Sequence, residues 1–371
     1  MSKAVTDYKK LTIPKDLEQI ESVWKYLLKC SSHSFFQTWY WIKNWLDCLP
    51  PDQQVEFIFA SIDQTPIAAY FVGKKTGLQH KIIYCKRGFL NETGDKDIDE
   101  VTIEYNRLLV ANSAQVKDYA GVFSKLVADW DELNLSAIDD AARQLLPIKE
   151  NKLNQRLLRS LDSLYVDLHQ VREKENDCIH LLSKNKRAQV RQSLRKYLEI
   201  GEISFSIAGS VESATKTLDA LKRLHQKNWR EKGHEGAFAS QFFDHFHNQL
   251  VTKNFDPDRV HLVTVKCGDE EIGYLYNFVY QNNVFFYQCG FNYKEDNKLR
   301  PGLVSHYLAI NHYAQNGYEK YDFLAGGGHY KSAFATDQIK LYWMSIRRKK
   351  LRFILEDILR KTKTTIQESD E

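Results

Sequence analysis

The stretch that decides the fold is residues 260–337, which read VHLVTVKCGDEEIGYLYNFVYQNNVFFYQCGFNYKEDNKLRPGLVSHYLAINHYAQNGYEKYDFLAGGGHYKSAFATD. Its first part contains three runs of β-branched and aromatic residues, at 261–266, 272–280 and 284–291, which are typical of strands. Short groups of Gly, Asp, Glu and Asn separate these runs and favour hairpin turns. We therefore predict three consecutive antiparallel strands.

A helix is predicted after the third strand. Leu303, Ile310 and Ala314 fall at helical spacing, Pro301 suits the first turn, and Gly317 suits the position after the last turn. The first turn of a helix has backbone N–H groups without intrahelical partners, so it favours phosphate binding. Basic side chains of the preceding loop and N–H groups of a splayed strand would complete such a site. The predicted cofactor-binding residues are Gln288, Lys298, Arg300, Pro301, Gly302 and Leu303.

Polar side chains follow the next predicted strand, residues 318–324. Asp322 stands near its end, and Tyr330 and Lys331 follow a glycine-rich turn. A carboxylate can accept a proton, a tyrosine can donate a proton to a leaving group, and a lysine can neutralise developing negative charge. We therefore predict catalytic roles for Asp322, Tyr330 and Lys331. The alternative for Asp322 is a purely structural hydrogen bond to the turn at 326–328.

An earlier part of the chain repeats the same order of predicted strands and turns. Residues 54–89 match residues 259–291 in the order of their apolar runs and turns, but no Pro-Gly helix start follows them. We predict two related α/β units in tandem, of which the first kept the sheet and lost the cofactor site, and either shapes an acceptor cleft or braces the second unit. The predicted domains are residues 1–160 and 161–350, followed by a C-terminal helix and tail at 351–371.

This order of elements resembles the core of the GNAT acyltransferases, in which the pyrophosphate of acyl-CoA lies on the loop and helix start after the fourth strand. Residues 301–334 are similar to the ending of the cellulose-biosynthesis (CelD/BcsL-like) acetyltransferase branch, which is related in architecture to the Fem-type peptidoglycan aminoacyl transferases. The resemblance implies an α/β (α+β) fold of two tandem GNAT-like domains, each a mixed, mainly antiparallel sheet flanked by helices. It also implies acetyl-CoA or another acyl-CoA as cofactor.

Two further pairs of side chains are predicted to bind substrate. Arg187 and Arg191 repeat every four residues on a basic helix, so they share a face that suits an anionic ligand. His225 and Trp229 have the same spacing and are placed to line a cleft. The alternatives are a solvated basic face for the arginines and ordinary core packing for His225 and Trp229.

Composition excludes several classes of protein. The six cysteines have no CxxC spacing, and His245 and His247 fall on different helix faces, so we expect no metal site and reduced thiols. The N-terminus has no apolar signal segment, and no apolar run approaches about 18 residues, so we expect a cytoplasmic protein without a transmembrane segment. The aromatic run at 35–45 is predicted as core, or alternatively as a wall of the acceptor site.

The sequence favours an acyl-CoA-dependent N- or O-acyltransferase acting on a sugar or cell-envelope/polysaccharide precursor. With a net charge of only +4, no DNA partner is expected and tRNA is disfavoured, while the C-terminal helix allows weak contact with a membrane surface. Two alternatives stay open: a Fem-like transferase that uses aminoacyl-tRNA, and a non-catalytic GNAT-like binding module.

Overall fold

The computed structural model describes residues 6–79, 83–115, 117–118, 130–149, 153–328 and 330–348, together with residues 120, 123, 350 and 353. The helix and tail predicted at 351–371 therefore lie outside the described residues, except for Phe353. None of the helices in the described part of the chain combines the length and apolar composition that a membrane span needs. The same residues contain no group of three His, Cys, Asp or Glu side chains placed to hold a metal ion.

The strands follow the predicted alternation of apolar runs and turns. They are β1 (Thr6–Thr12), β2 (Val55–Ile62), β3 (Thr65–Gln79), β4 (Ile83–Leu90), β5 (Leu109–Val110), β6 (Glu132–Ile138), β7 (Asn154–Asp167), β8 (Ile203–Ile207), β9 (Val260–Cys267), β10 (Glu270–Tyr280), β11 (Asn283–Phe291), β12 (Lys320–Ala325) and β13 (Asp337–Arg347).

Helices cover the strands. They are α1 (Leu17–Cys30), α2 (Trp39–Cys48), α3 (Asp140–Gln144), α4 (Leu168–Arg172), α5 (Lys184–Ile200), α6 (Val211–Glu231), α7 (Gln241–Thr252), α8 (Pro301–Gln315) and α9 (Lys331–Phe334), with 3₁₀ turns at Phe35–Gln37, Cys178–Leu181 and Ala237–Ala239. The helix α8 begins at Pro301 and Gly317 follows it with a φ of 81°, as predicted.

Within the described residues, one continuous sheet has the strand order β1-β2-β3-β4-β6-β13-β7-β12-β11-β10-β9-β8, and β5 pairs with β3. All neighbours are antiparallel except β4 with β6 and β11 with β12. We call β1–β6 with α1–α3 the first unit, and β8–β12 with α5–α9 the second unit. The predicted fold class, a mixed and mainly antiparallel α/β arrangement, is confirmed.

The two units are joined by an exchange of strands. β7 follows the first unit in the chain but pairs with β12 of the second, whereas β13 follows the second unit and pairs with β6 of the first. β7 and β13 pair with each other at the centre of the sheet. Residue 160, where we predicted the domain boundary, lies inside β7. Each unit is thus extended by the strand that follows the other unit in the chain: β7 pairs with the second unit and β13 with the first.

The polar composition of residues 139–160 is typical of a helix, but of its described residues only Asp140–Gln144 is helical, and the chain from Asn154 onward forms β7. The outer part of β7 pairs with β13 along its length and is exposed on both faces, so its polar pattern reflects solvent exposure rather than helical periodicity.

The aromatic run before and within α2 is core, as predicted, but it packs across the units. Phe35 stacks on Phe278 of β10 with ring centroids 4.5 Å apart, and Trp41 lies 4.7 Å from the ring of Phe246 in α7. All four side chains are completely buried. One hydrophobic core therefore spans both units, so they are held as a single packed body at this face.

Candidate active site

The centre of the site is a gap between two parallel strands. β11 and β12 pair only from Asn283/Lys320 to Phe285/Asp322 and then separate. On its other side, β11 carries a bulge at Tyr287 where it pairs with β10. Residues 286–291 of β11 therefore have no neighbour in β12, which leaves an open strand edge inside the molecule.

The chain after β12 is shaped to keep this gap open. Leu324 has a φ of 59° at an irregularity in the pairing of β12 with β7, and Gly326 has a φ of 108° directly after β12 ends. The Lys331 ammonium then donates to the carbonyl oxygens of Phe323 at 2.8 Å and of Leu324 and Ala325 at 3.4 Å. Because this ammonium satisfies the strand-end carbonyls, β12 does not need β11 as a partner there. Burial lowers the pKa of Lys331, while the nearby acidic groups Glu104 and Asp322 raise it.

Asp322 is completely buried, and both of its carboxylate oxygens are occupied. Oδ2 accepts a hydrogen bond from the Tyr105 hydroxyl at 2.5 Å, and the Lys320 ammonium lies 3.6 Å away. Oδ1 accepts from the Ser163 hydroxyl at 2.8 Å and from the Leu324 N–H at 2.9 Å. Asp322 therefore ties the first unit and β7 to the end of β12.

A second carboxylate, Glu104, reaches the same place from the first unit. Its Oε2 accepts a hydrogen bond from the Ala325 N–H at 2.7 Å, and the residue is 7% exposed. Burial raises its pKa to about 7; the Ala325 N–H opposes this, the charge of Asp322 adds to it, and Lys331 opposes it. Glu104 is not among the residues predicted from the sequence; the nearest signal is the acidic stretch of residues 91–100, which ends four positions before it.

Tyr330 lies on the other side of the gap among aromatic rings. It stacks on His306 of α8 with ring centroids 4.8 Å apart. Burial raises the pKa of Tyr330, and the nearby Cys289 thiol of β11 adds to this rise. His306 hydrogen-bonds the Tyr321 hydroxyl through Nδ1, and burial lowers its pKa to about 3, so the ring is neutral. Tyr330 thus keeps its proton at the edge of the gap.

The start of α8 lies next to the basic helix α5. The Arg300 N–H donates to Ser193 Oγ at 2.9 Å, and the Arg300 guanidinium donates to Gln192 Oε1 at 3.2 Å. No side chain caps α8, and the N–H groups of Gly302 and Leu303 have no partner among the described residues. These two N–H groups, with Arg300 beside them, make the start of α8 suitable for phosphate.

The remaining predicted cofactor residues flank this helix start. Lys298 is exposed in the loop before α8, and Gln288 is half-buried on the part of β11 that pairs with β10 but not with β12. A Cβ built on Gly302 would lie 3.2 Å from the Phe291 ring, so a glycine lets the helix start approach the end of β11 closely. The structure therefore brings the gap and the helix start together at the end of β11.

The predicted substrate-binding residues have different surroundings. His225 is 5% exposed and donates from Nδ1 to the Cys289 carbonyl at 3.0 Å, while Trp229 is 40% exposed with its ring 6.0 Å from that of His225. The Arg187 guanidinium donates to the carbonyls of the turn before α5, at 3.2 and 3.3 Å, so it stabilises that turn. Arg191 is exposed. Of these four residues, His225 directly contacts the strand that borders the gap.

A cleft of about 690 Å³ lies between the loop of residues 91–108 and the start of α7. Ser240 donates to the Asp97 carbonyl across it at 3.3 Å. The cleft is lined by Pro50, Asp97, Ile98, Glu100, Glu235, Gly236, Ala237, Ala239, Ser240, Gln241, Phe242 and His245. Both units therefore contribute to its walls, and its charged lining residues are acidic.

Comparison with known proteins supports the same fold. The family described as acetyltransferase (GNAT) domain matches residues 184–332, which span α5 to α9. FemX is similar in structure, with a TM-score of 0.57, 8% identity, and coverage of 90% of this chain and 96% of FemX. The L-PGS of Bacillus licheniformis has a TM-score of 0.52 and 11% identity, with coverage of 92% and 96%.

A conserved protein of unknown function from Bacteroides thetaiotaomicron has a TM-score of 0.54 at 9% identity, with coverage of 93% of this chain and 100% of that protein. A search of curated protein sequences finds no significant match. The protein therefore has a GNAT acetyltransferase-type fold, which supports a transferase without defining its substrate.

Proposed function

We propose that this protein is an acyl-CoA-dependent acyltransferase, most simply an acetyltransferase. In this proposal it transfers the acyl group directly to an amine or hydroxyl of a sugar or cell-envelope/polysaccharide precursor. The observation that carries the proposal is the gap between β11 and β12, which opens beside the uncapped start of α8. One element offers an unpaired strand edge to an extended thioester arm, and the other offers N–H groups to its phosphates.

Bound acyl-CoA would supply an activated thioester carbonyl. Those N–H groups of residues 286–291 that face away from β10, where β12 no longer pairs, can polarise that carbonyl and hold the arm, and such positioning contributes about 7–11 kcal/mol in favourable cases. Tyr330, neutral at the edge of the gap, can give its proton to the departing thiolate. Lys331 holds the gap open and adds positive charge close to it.

The acceptor would enter through the cleft between the units. Its lining includes Asp97, Glu100 and Glu235, and no Lys or Arg belongs to the described lining residues. This charge favours an acceptor that carries an amine over one that carries several phosphates. A small-molecule or glycan acceptor with a free amino group fits this cleft best.

Calorimetric titration with acetyl-CoA and with CoA tests the proposal. We expect micromolar binding that Arg300→Ala weakens about tenfold, because the substitution removes a cation beside the helix start. The matched control is Arg143→Ala, which removes an arginine from α3 in the first unit and should leave binding unchanged. Absence of binding to either ligand would remove the acyl-CoA proposal.

A Fem-like transferase that uses aminoacyl-tRNA is a second candidate. The specific observation in its favour is that Lys184, Arg191 and Arg195 are all exposed on α5, beside the candidate site. Such a face suits a polyanion. Binding of total tRNA that falls steeply between 50 and 200 mM salt would favour this candidate, since several phosphate contacts lose about 10³–10⁵ in affinity over that range.

A further inference from the structure

The two carboxylates at the end of β12 differ in what their oxygens can still do. Asp322 has four donors or cations around its two oxygens and is completely buried. Glu104 receives one hydrogen bond, from the Ala325 N–H, and its Oε1 has no partner among the described residues. Asp322 is therefore committed to structure, whereas Glu104 keeps one oxygen available to accept a proton.

Glu104 is held in place by its neighbours in the first unit. Asn91 has a φ of 52°, and its side chain bonds the Asn106 side chain at 2.8 Å and the Arg107 carbonyl at 2.9 Å, which closes the loop of residues 91–108 on itself. Tyr105, with a φ of 53°, then fixes the loop to Asp322. Because Glu104 directly precedes Tyr105, this anchor places its carboxylate against the end of β12.

The groups that face Glu104 come from every neighbouring element. Asp322 lies on β12, Lys331 on α9, and Tyr287 on β11, while Tyr105 is its neighbour on the loop. Asp322 disfavours the charged form of Glu104 and Lys331 favours it. Burial, which raises the pKa of Glu104, has a larger effect than either charge. Near neutral pH, the carboxyl group of Glu104 can therefore exist in both its charged and its protonated form.

We infer that Glu104 is the proton acceptor of acyl transfer, so that the first unit supplies a catalytic group to the site of the second. The inference rests on the proposed function. Glu104 Oε1 takes the proton of the attacking amine or hydroxyl while its nitrogen or oxygen forms a bond to the thioester carbonyl carbon. The carbon–sulfur bond then breaks, and the thiolate takes its proton from Tyr330. Tyr330 regains a proton from water and Glu104 releases its proton to water, which restores both groups. Tyr105, Asp322 and Ser163 act as positioning residues for Glu104.

The test uses the full chain with acetyl-CoA, and with water or glucosamine as the acceptor. Release of the CoA thiol is measured against pH for wild type, Glu104→Gln and Glu104→Asp. We expect Glu104→Gln to lower the rate about 100-fold and to remove a pH limb near 7, while Glu104→Asp recovers part of both. The acetyl-CoA dissociation constant should change less than about twofold. The matched control Glu212→Gln, at an exposed glutamate of α6, should behave as wild type.

The outcomes separate the inference from the proposed function. Wild-type protein that does not bind acetyl-CoA would contradict the proposed function. Normal acetyl-CoA binding with an unchanged rate and pH limb in Glu104→Gln would overturn the inference alone. If turnover is too slow to measure, ¹³C NMR of the carboxyl groups gives a direct readout. The Glu104 signal is assigned by its disappearance in Glu104→Gln and should titrate near pH 7. A titration near pH 4.5 would overturn the inference.

Discussion

The first and second units contain the same junction, and they use it differently. In both, the third strand of an antiparallel meander pairs in parallel with a later strand for three residues, from Arg87/Glu132 to Phe89/Asn134 in the first unit and from Asn283/Lys320 to Phe285/Asp322 in the second. In the first unit, β4 continues for only one residue beyond the pairing. In the second, β11 continues for six. The open strand edge exists only in the second of these two junctions.

A loop occupies the corresponding place in the first unit. Asn91 follows β4 directly and bonds the Phe71 N–H at 3.0 Å, which seals the end of the sheet. A Cβ built on Gly73 would lie 2.3 Å from the Glu92 carbonyl oxygen, so the loop packs directly on the β3 backbone. In the first unit, a packed loop therefore occupies the space that stays open in the second unit. The same loop places Glu104 against the end of β12 in the second unit.

The largest expected effect on stability and binding comes from Lys331→Met, because the Lys331 ammonium keeps the gap between β11 and β12 open. Lys331→Met removes the donor of three strand-end carbonyls, so we expect the free energy of unfolding to fall by about 4 kcal/mol. Acetyl-CoA binding should be lost as well. Urea unfolding and calorimetry measure both effects. The control Lys340→Met changes an exposed lysine of β13, and an equal loss there would show that the three carbonyl bonds are not responsible.

The Glu104 carboxyl should make stability depend on pH. Its pKa is raised from 4.5 to about 7, so the folded state holds a proton that the unfolded state has lost, and stability falls as pH rises through this window. Glu104→Gln does not titrate, so it should gain up to about 3 kcal/mol relative to wild type between pH 4.5 and 7. Thermal unfolding at several pH values measures this difference. A difference that does not vary with pH would contradict the burial of a titrating carboxylate.

Damage to the first junction should cost stability without touching the cofactor site. Asn91→Ala removes three side-chain hydrogen bonds of a buried residue, and we expect a loss of about 2 kcal/mol in the free energy of unfolding. Acetyl-CoA affinity should stay at the wild-type value, because the loop does not form the gap. Reduced affinity in a folded Asn91→Ala protein would break the comparison between the units.

The smallest expected effect belongs to Tyr105. Tyr105→Phe removes the hydroxyl that bonds Asp322 and Ser163, and we expect a loss of about 1.5 kcal/mol in unfolding free energy. The rate of thiol release should fall while acetyl-CoA affinity stays unchanged, since Glu104 loses its anchor. Tyr26→Phe, at a tyrosine that is 43% exposed, is the control. Equal rates in both variants would remove the positioning role of Tyr105.

Local patterns were sufficient for most elements of the fold. The runs that form β9, β10 and β11 and the proline and glycine that bound α8 are signals within a few residues of each other. The roles predicted for Asp322, Tyr330 and Lys331 stay predictions. Glu104 was out of reach because its hydrogen bond to Ala325 joins residues 221 positions apart. The exchange of β7 and β13 was missed for the same reason, since the strands that they pair with are far away in the sequence.

Hydrogen exchange with and without acetyl-CoA tests the central claim most directly, since it compares the two junctions in one experiment. The account predicts that acetyl-CoA protects the amides of residues 286–291 in β11 and 302–304 in α8, and leaves those of residues 84–90 in β4 unchanged. Protection that is absent from β11 and α8, or equal at β4, would contradict the claim that the gap in the second unit holds the acyl donor.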